Sequence, residues 1–549
     1  MKINRAKIEK SSAILFAALL IGGNTLSLSA QTQPKDTTLN RTVVVEQEYN
    51  PNIMDARKIN VLPKVDEITV TPKSVEYDGT IFPATSIPGS PMEAFTGKEV
   101  QKEPTKGYAR LGYGNRGNLD VRANYLLLST PQDRLNVSFS VDGMNGKLDL
   151  IDEDGKWRSR FYRTKAGAYY LHQFGKIDLN LEGNFGVSNF NYLPASLYAN
   201  QNHTSGDVRV GLKSKDNAYA LHFDIGTGLL LFKKRYGNSD SETIVRTHAN
   251  VAGDISDEQL VGVSLKMDNI FYDGEKKYDN RTALRATPYY EWNGENTKLH
   301  LGANVDFASG SGKSFRASPD VKASYLFSDS YVLYAQATGE RFVNDFRRLE
   351  EVSPYAVSAS WLDDTYEQLN AQIGFKASPV SGLWFNIFGG YQLLKDDLIP
   401  RTDFYIGGPA RDHNVFYQEK TSNLNVGGKL LYNYKDRFAV SAEGTYYNWD
   451  ADENINLLLK PEFQFDFRVD TKFLPELNLG LNYQYISRVD AEYNPENAVN
   501  NLGVSLTYEF HKGISIYAKG SNLLNKKYSY SVNYVVQGIN FVGGLAFRF

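Results

Sequence analysis

The sequence predicts an all-β chain, a transmembrane antiparallel β-barrel of about 22 strands with a short N-terminal periplasmic segment. Three observations carry that prediction. From Gly107 onward, apolar residues alternate with polar ones at a period of two, as in Phe385, Ile387, Gly389, Tyr391 and Leu393. Short and long connections alternate without a break in phase. Tyr (36) and Phe (30) make up most of an aromatic share of 13%, the usage expected of girdles at two lipid–water boundaries.

The first 30 residues read as a secretory signal. Lys2, Arg5, Lys7 and Lys10 form a basic start, Ala13 to Ile21 an apolar middle, and Ser27-Leu28-Ser29-Ala30 the small residues before cleavage. The apolar run is too short to span a bilayer as a helix. Residues 31–105 hold Pro34, Pro51, Pro63, Pro72, Pro83, Pro88, Pro91 and Pro104. Proline removes a ladder donor, so this stretch is expected to be an extended periplasmic segment and not barrel wall. Within it, Thr42, Val43, Val44, Val45 and Glu46 form a β-prone run suited to adding a strand to a partner's sheet edge.

The barrel, residues 106–549, is expected from its punctuation. Tight turns are expected at Pro131–Asp133, Gly175–Lys176, Lys215–Asn217, Ser256–Glu258, Gly294–Asn296, Ser328–Ser330, Pro379–Gly382, Lys435–Asp436, Asp470–Pro475 and His511–Gly513. These ten turns join strands in pairs, and one strand is added at each end, giving 22 strands of roughly 10–14 residues. Between them fall longer connections, among them Gly143–Arg160, Arg341–Thr365 and Lys395–Lys420. The final stretch, Val535 to Phe549, is expected to be the closing strand. Asp178, Asn180, Glu182, Asn184, Arg209 and Asn482 recur in mid-strand, which in a barrel lines a wet lumen.

Three places resemble the barrel of TonB-dependent outer-membrane receptors. Gly520-Ser521-Asn522-Leu523-Leu524-Asn525 through Tyr528, followed by Gly538 and Gly543 to Phe549, is similar to that family's closing pattern. Arg341 to Pro354 and Tyr366 to Lys376 resemble its mid-barrel loop and following strand, without the usual Arg-Ala-Pro. Thr42 to Glu46 resembles the short motif that recruits an energy-transducing TonB-type protein. The resemblance implies a 22-strand barrel in the outer membrane of a Gram-negative bacterium and a role in transport across it. It also implies a plug inside the barrel. Only about 75 proline-rich residues precede the first strand, so the plug is expected to be missing. The lumen should then be filled by the N-terminal segment, a partner protein or inward-folded loops.

The residues point away from catalysis. The seven His are scattered over strands and loops, none in a Gly-x-Ser-x-Gly or His-Glu-x-x-His setting. There is no Cys, which removes disulfides and thiolate chemistry. No cofactor or metal is expected. A formal net charge of −3 carries no nucleic-acid footprint. The expected partners are outer-membrane lipid, a TonB-type protein, or another periplasmic or surface protein. The second functional reading is a non-catalytic membrane subunit of an outer-membrane assembly.

Overall fold

A computed structural model describes residues 105–549, apart from 151–154, 195–198, 216–218, 236–239, 275–277, 329, 357–361, 405–411, 436, 452–456, 458 and 490–497. Strands begin where the alternation begins. They are β1 Gly107–Gly114, β2 Leu119–Ser129, β3 Asp133–Asp149, β4 Lys156–Gln173, β5 Ile177–Asn191, β6 Asn200–Ser214, β7 Leu221–Lys234 and β8 Ser241–Ser256. Then follow β9 Gln259–Asp273, β10 Arg281–Asn293, β11 Thr297–Ser309, β12 Phe315–Leu326, β13 Tyr331–Phe342, β14 Thr365–Val380, β15 Leu383–Phe404 and β16 Asp412–Tyr434. The last are β17 Phe438–Ala451, β18 Pro461–Leu474, β19 Leu477–Arg488, β20 Val499–His511, β21 Ile514–Ser521 and β24 Asn540–Arg548. A separate two-stranded hairpin, β22 Ser529–Ser531 and β23 Tyr534–Val535, sits in the connection before β24. One helix, α1 Phe346–Val352, lies between β13 and β14.

The 22 wall strands form one antiparallel sheet that closes on itself. The closing ladder pairs β1 with β24, from Tyr108 opposite Arg548 to Gly114 opposite Val542. Gly107 and Phe549 complete it with two reciprocal backbone bonds of 2.7 and 3.1 Å. Each of the ten expected tight turns lies at or overlaps a strand-to-strand connection at one rim, and the longer connections lie at the other. By the usual barrel asymmetry the first rim is periplasmic and the second outer.

The two faces differ as lipid and water demand. On β6, Val208, Val210 and Leu212 point out and are exposed, while Asp207 and Arg209 point in. Val261, Val263 and Leu265 repeat this on β9. Inside, charges pair across strands, as Arg110 with Asp120 (2.8 Å), Arg246 with Asp268 (2.6 Å) and Arg285 with Asp306 (2.9 Å). At the periplasmic rim Phe327 stacks on Tyr325, Tyr331 and Phe375 with centroids 5.9–6.3 Å apart, part of an aromatic girdle. A closed barrel with such a belt is an outer-membrane protein of a Gram-negative cell.

Several boundaries differ from expectation. β15 and β16 have 22 and 23 residues, so most of the expected loop 395–420 is strand and only 405–411 connects. β3 and β4 likewise shorten the expected loop 143–160 to 150–155. β18 runs through Leu474, which confines the turn expected at Asp470–Pro475 to 475–476. The closing strand begins at Asn540 because Tyr534 and Val535 are recruited to the small hairpin. Outside the bilayer, pairing continues wherever two strands can still satisfy each other, and lipid-facing alternation no longer marks it.

The closing seam is built around glycine. A Cβ on Gly544 would meet the carbonyl oxygen of Leu111, whereas one on Gly543 would meet only Tyr517 O at 3.6 Å. Gly544→Ala should therefore weaken closure by about 1–3 kcal/mol, while Gly543→Ala is tolerated. Urea midpoints of the two refolded variants, followed by heat-modified gel mobility, check this. Equal midpoints would remove the steric argument.

Candidate functional site: the spanned outer mouth

The described part of the connection 343–364 does not rise away from the barrel. It turns inward, led by a helix whose start is set locally. Asp345 caps α1, accepting from Arg348 N at 2.8 Å. Phe346 and Leu349, three apart, put an apolar face on one side of the helix, and both are buried. Phe346 packs among Phe232, Tyr272 and Tyr278 with ring centroids 5.4–6.3 Å away.

Polar contacts fix the helix to the wall of β6–β9. Glu242 on β8 accepts from Phe346 N at 3.0 Å. Arg347 bonds Asp207 on β6 and donates to Leu231 O on β7 at 2.7 Å. Glu350 lies 3.4 Å from His203 on β6. Arg246 on β8 approaches Asp345 at 3.6 Å. At the base of the loop, Asn344 Nδ2 donates to Asp363 O (2.7 Å), and Asp364 faces Arg281 at 3.2 Å and Arg341 at 3.6 Å.

A second anchor lies farther around the ring. Tyr355 stacks on Tyr534 of β23 with centroids 3.5 Å apart and planes 7° apart. It also meets Phe190 on β5 at 5.3 Å and Phe161 on β4 at 6.4 Å. Trp157, Met144 and Tyr192 complete that cluster. On the other side, Ala356 bridges Asn414 of β16, Asn414 Nδ2 donates to Val532 O at 2.9 Å, and Gln418 exchanges two 2.7 Å bonds with Asp363. A loop rooted at β13 and β14 that touches β4 has crossed the mouth, because the two lie nine strands apart in a ring of 22. The inward-folded loop left open by the sequence is thus present. We call it the lid.

Burial sets the chemistry of its acids. Desolvation pushes Asp345 up, against the Arg348 amide and the Arg246 charge. Desolvation also pushes Asp364 up, against Arg281 and Arg341. Glu350 is buried too, yet its close contact with His203 and the surrounding positive charge hold it below the usual glutamate range.

The sequence-predicted partner motif, Thr42, Val43, Val44, Val45 and Glu46, lies outside the described residues, as do the signal and nearly all of 31–105. The His residues are dispersed. His172 pairs with Asp133 (2.6 Å), His222 with Asp254 (2.6 Å), and His300 sits between Glu291 (3.2 Å) and Asp320 (3.0 Å). Among the described residues no three His, Cys, Asp or Glu side chains gather as metal ligands do. Sequence reasoning did not single out Asp345, Phe346, Arg347, Glu350 or Tyr355. The available signal was Asn344-Asp345 ahead of Phe346 and Leu349, a cap followed by apolar residues at helical spacing.

No family model matches this chain, and no curated protein matches it by sequence. Solved structures do match. The siderophore receptor PirA from Acinetobacter baumannii aligns with a TM-score of 0.62 at 11% identity, covering 82% of this chain and 81% of that one. The FrpB iron transporter from Neisseria meningitidis gives 0.62 at 12%, covering 82% of each. The ferric enterobactin receptor PfeA from Pseudomonas aeruginosa gives 0.60 at 12%, covering 81% of each. At such identity the likeness is one of fold. The barrel has the fold of TonB-dependent outer-membrane receptors, as the sequence resemblance implied.

The sign of the pH response follows from the lid acids. Asp345 and Asp364 hold their protons more tightly docked than released. Docking therefore weakens as pH rises from about 3.9, the ordinary aspartate value, through their raised docked values. Glu350 acts oppositely. Its contribution is present above about 4.3 and is lost as pH falls through its lowered docked value. The chain has no native Cys, so a spin label on Val352→Cys reports the lid alone. The label should gain mobility as pH is raised from about 3.9, and Asp345→Asn, which keeps the cap, should blunt that gain. An unchanged pH response in Asp345→Asn would remove Asp345 from the account.

Proposed function

We propose that this barrel moves a solute across the outer membrane and that the lid is its outer gate. The lid spanning a receptor-fold barrel is the observation that carries the reading. A ligand arriving from outside meets α1, Tyr355 and the β22–β23 hairpin before it meets the lumen. Passage requires that it compete with those contacts or that an energised partner release them. Thr42–Glu46 is the segment proposed to engage a TonB-type partner in the periplasm. The fold neighbours named as siderophore and iron transporters support an iron chelate or a solute of similar size. None of them is named as an enzyme.

The alternative is a non-catalytic seat for a periplasmic or surface assembly. The density of lid contacts favours it to the extent that a fixed lid would make the barrel an anchor. The two differ in whether the lid opens.

Planar-bilayer conductance of the full chain separates them. The intact protein should show only brief openings. Replacing 344–363 by a short Gly-Ser linker should give steady conductance, and Tyr355→Ala an intermediate open fraction. If the linker variant inserts and conducts no more than the parent, the lid is not the barrier. Deleting 42–46 should abolish solute-dependent growth without changing conductance. Unimpaired growth would remove the energy-coupling role.

A further inference from the structure

The outward face of β3 and β4 changes character above the lipid belt. On β3 the outward series is Phe139, Val141, Gly143, Asn145, Lys147 and Asp149, and Phe139 is exposed as a lipid-facing residue should be. On β4 the outward series is Thr164, Tyr162, Arg160, Arg158 and Lys156, while Trp157 and Ser159 between them are buried inward. The register sets Asn145 opposite Arg160, Lys147 opposite Arg158, and Asp149 opposite Lys156.

These strands have 17 and 18 residues. A tilted strand needs only about 9–11 residues to cross the hydrocarbon. The surplus lies at the outer end, so the basic residues stand at headgroup height. Tyr162, whose hydroxyl donates to Gly117 O at 3.2 Å, marks the boundary just below them.

Like charges directly opposite on one sheet face repel, and Lys147 faces Arg158 with no carboxylate between. The guanidinium groups are already oriented. Arg158 Nε donates to Asn145 Oδ1 (2.8 Å) and Arg160 Nη2 to Asn200 Oδ1 (3.1 Å). Arg160 Nε is buried without a hydrogen-bond partner among the described residues. Among those residues the neighbouring carboxylate is Asp149, which Lys156 (4.0 Å) and Lys527 (3.4 Å) already share. Asp152, Glu153 and Asp154 follow in the connection, outside the described residues. The opposite wall lacks this pattern. On β17 the outward series ends in Tyr446, Asn448 and Asp450.

We propose that Lys147, Arg158 and Arg160 form a site for the phosphate-bearing headgroup of an outer-leaflet lipid, whose acyl chains lie along Phe139 and Val141. Position selects this occupant. The face continues the lipid-contacting surface upward, so the nearest anion is a lipid headgroup already in the membrane. Phosphate matches the chemistry, because its oxygens accept charge-assisted bonds from several guanidinium and ammonium donors at once. It would also relieve the Lys147–Arg158 repulsion. The long side chains keep their stems along the apolar belt and their heads at the phosphate plane.

The test uses the full chain in detergent and native mass spectrometry. The probes are monophosphorylated lipid A and its dephosphorylated form. The parent should bind the phosphorylated lipid on the order of tenfold more tightly. Lys147→Gln/Arg158→Gln/Arg160→Gln should lose that preference, and Lys420→Gln on β16 should keep it. Heat-modified gel mobility confirms that each variant is folded. Should the triple variant not fold, Lys147→Gln alone, at an exposed position, should still reduce the preference severalfold. Equal binding of the two lipids by the parent would overturn the proposal. So would an undiminished preference in the folded variants, or a protein held at this face in place of lipid.

Discussion

Every backbone N–H and C=O at membrane depth must find its partner within the chain, because the bilayer core offers no water. A sheet can meet that demand only by closing. Closure in turn fixes much else in this protein. It forces an even ring of 22 strands, places both ends of the ring at one rim, and leaves an interior that lipid cannot reach. The lumen is then free to be polar, and its charges pair across strands instead of standing alone, as Arg285 does with Asp306 and Glu340.

The same constraint explains where function gathers. The wall is committed to pairing and to lipid, so the long connections at the outer rim are what can reach over the mouth. Two of them meet over the mouth. The lid brings a helix, a cap and a row of acids. The connection before β24 brings a hairpin and Tyr534. Their contact combines buried charge, which is costly to separate, with aromatic stacking, which adds about 0.5–1.5 kcal/mol beyond the area it covers. That mixture holds the lid firmly across the mouth.

The wall was readable from sequence because lipid and turn chemistry both write locally. Lys215–Asn217 or Gly294–Asn296 announces a turn by its own residues, and Val208, Val210 and Leu212 announce a lipid face by their spacing. The projecting parts of β15 and β16 were not readable, since above the membrane nothing enforces alternation and the strands look like loop. The lid was visible as a long connection resembling a mid-barrel loop, with inward folding left open, but its contacts were not. Its partners are remote in sequence, with Phe346 bonding Glu242 across 104 positions and Arg347 reaching Asp207 across 140. No local pattern reports such pairings. The lipid-facing cations were hidden for a similar reason. Lys147 and Arg158 become neighbours only once the β3–β4 register is known.

The seam between β1 and β24 has a bearing on how the protein comes into being. Of the wall strands, β24 is made last and its partner β1 first. Until residues 540–548 arrive, the sheet carries two bare edges, each a template for the wrong neighbour. The ring cannot be sealed progressively from its start. The wall must be shielded until that strand is made, and the loss of residues 540–548 would leave a curled sheet where a barrel should be.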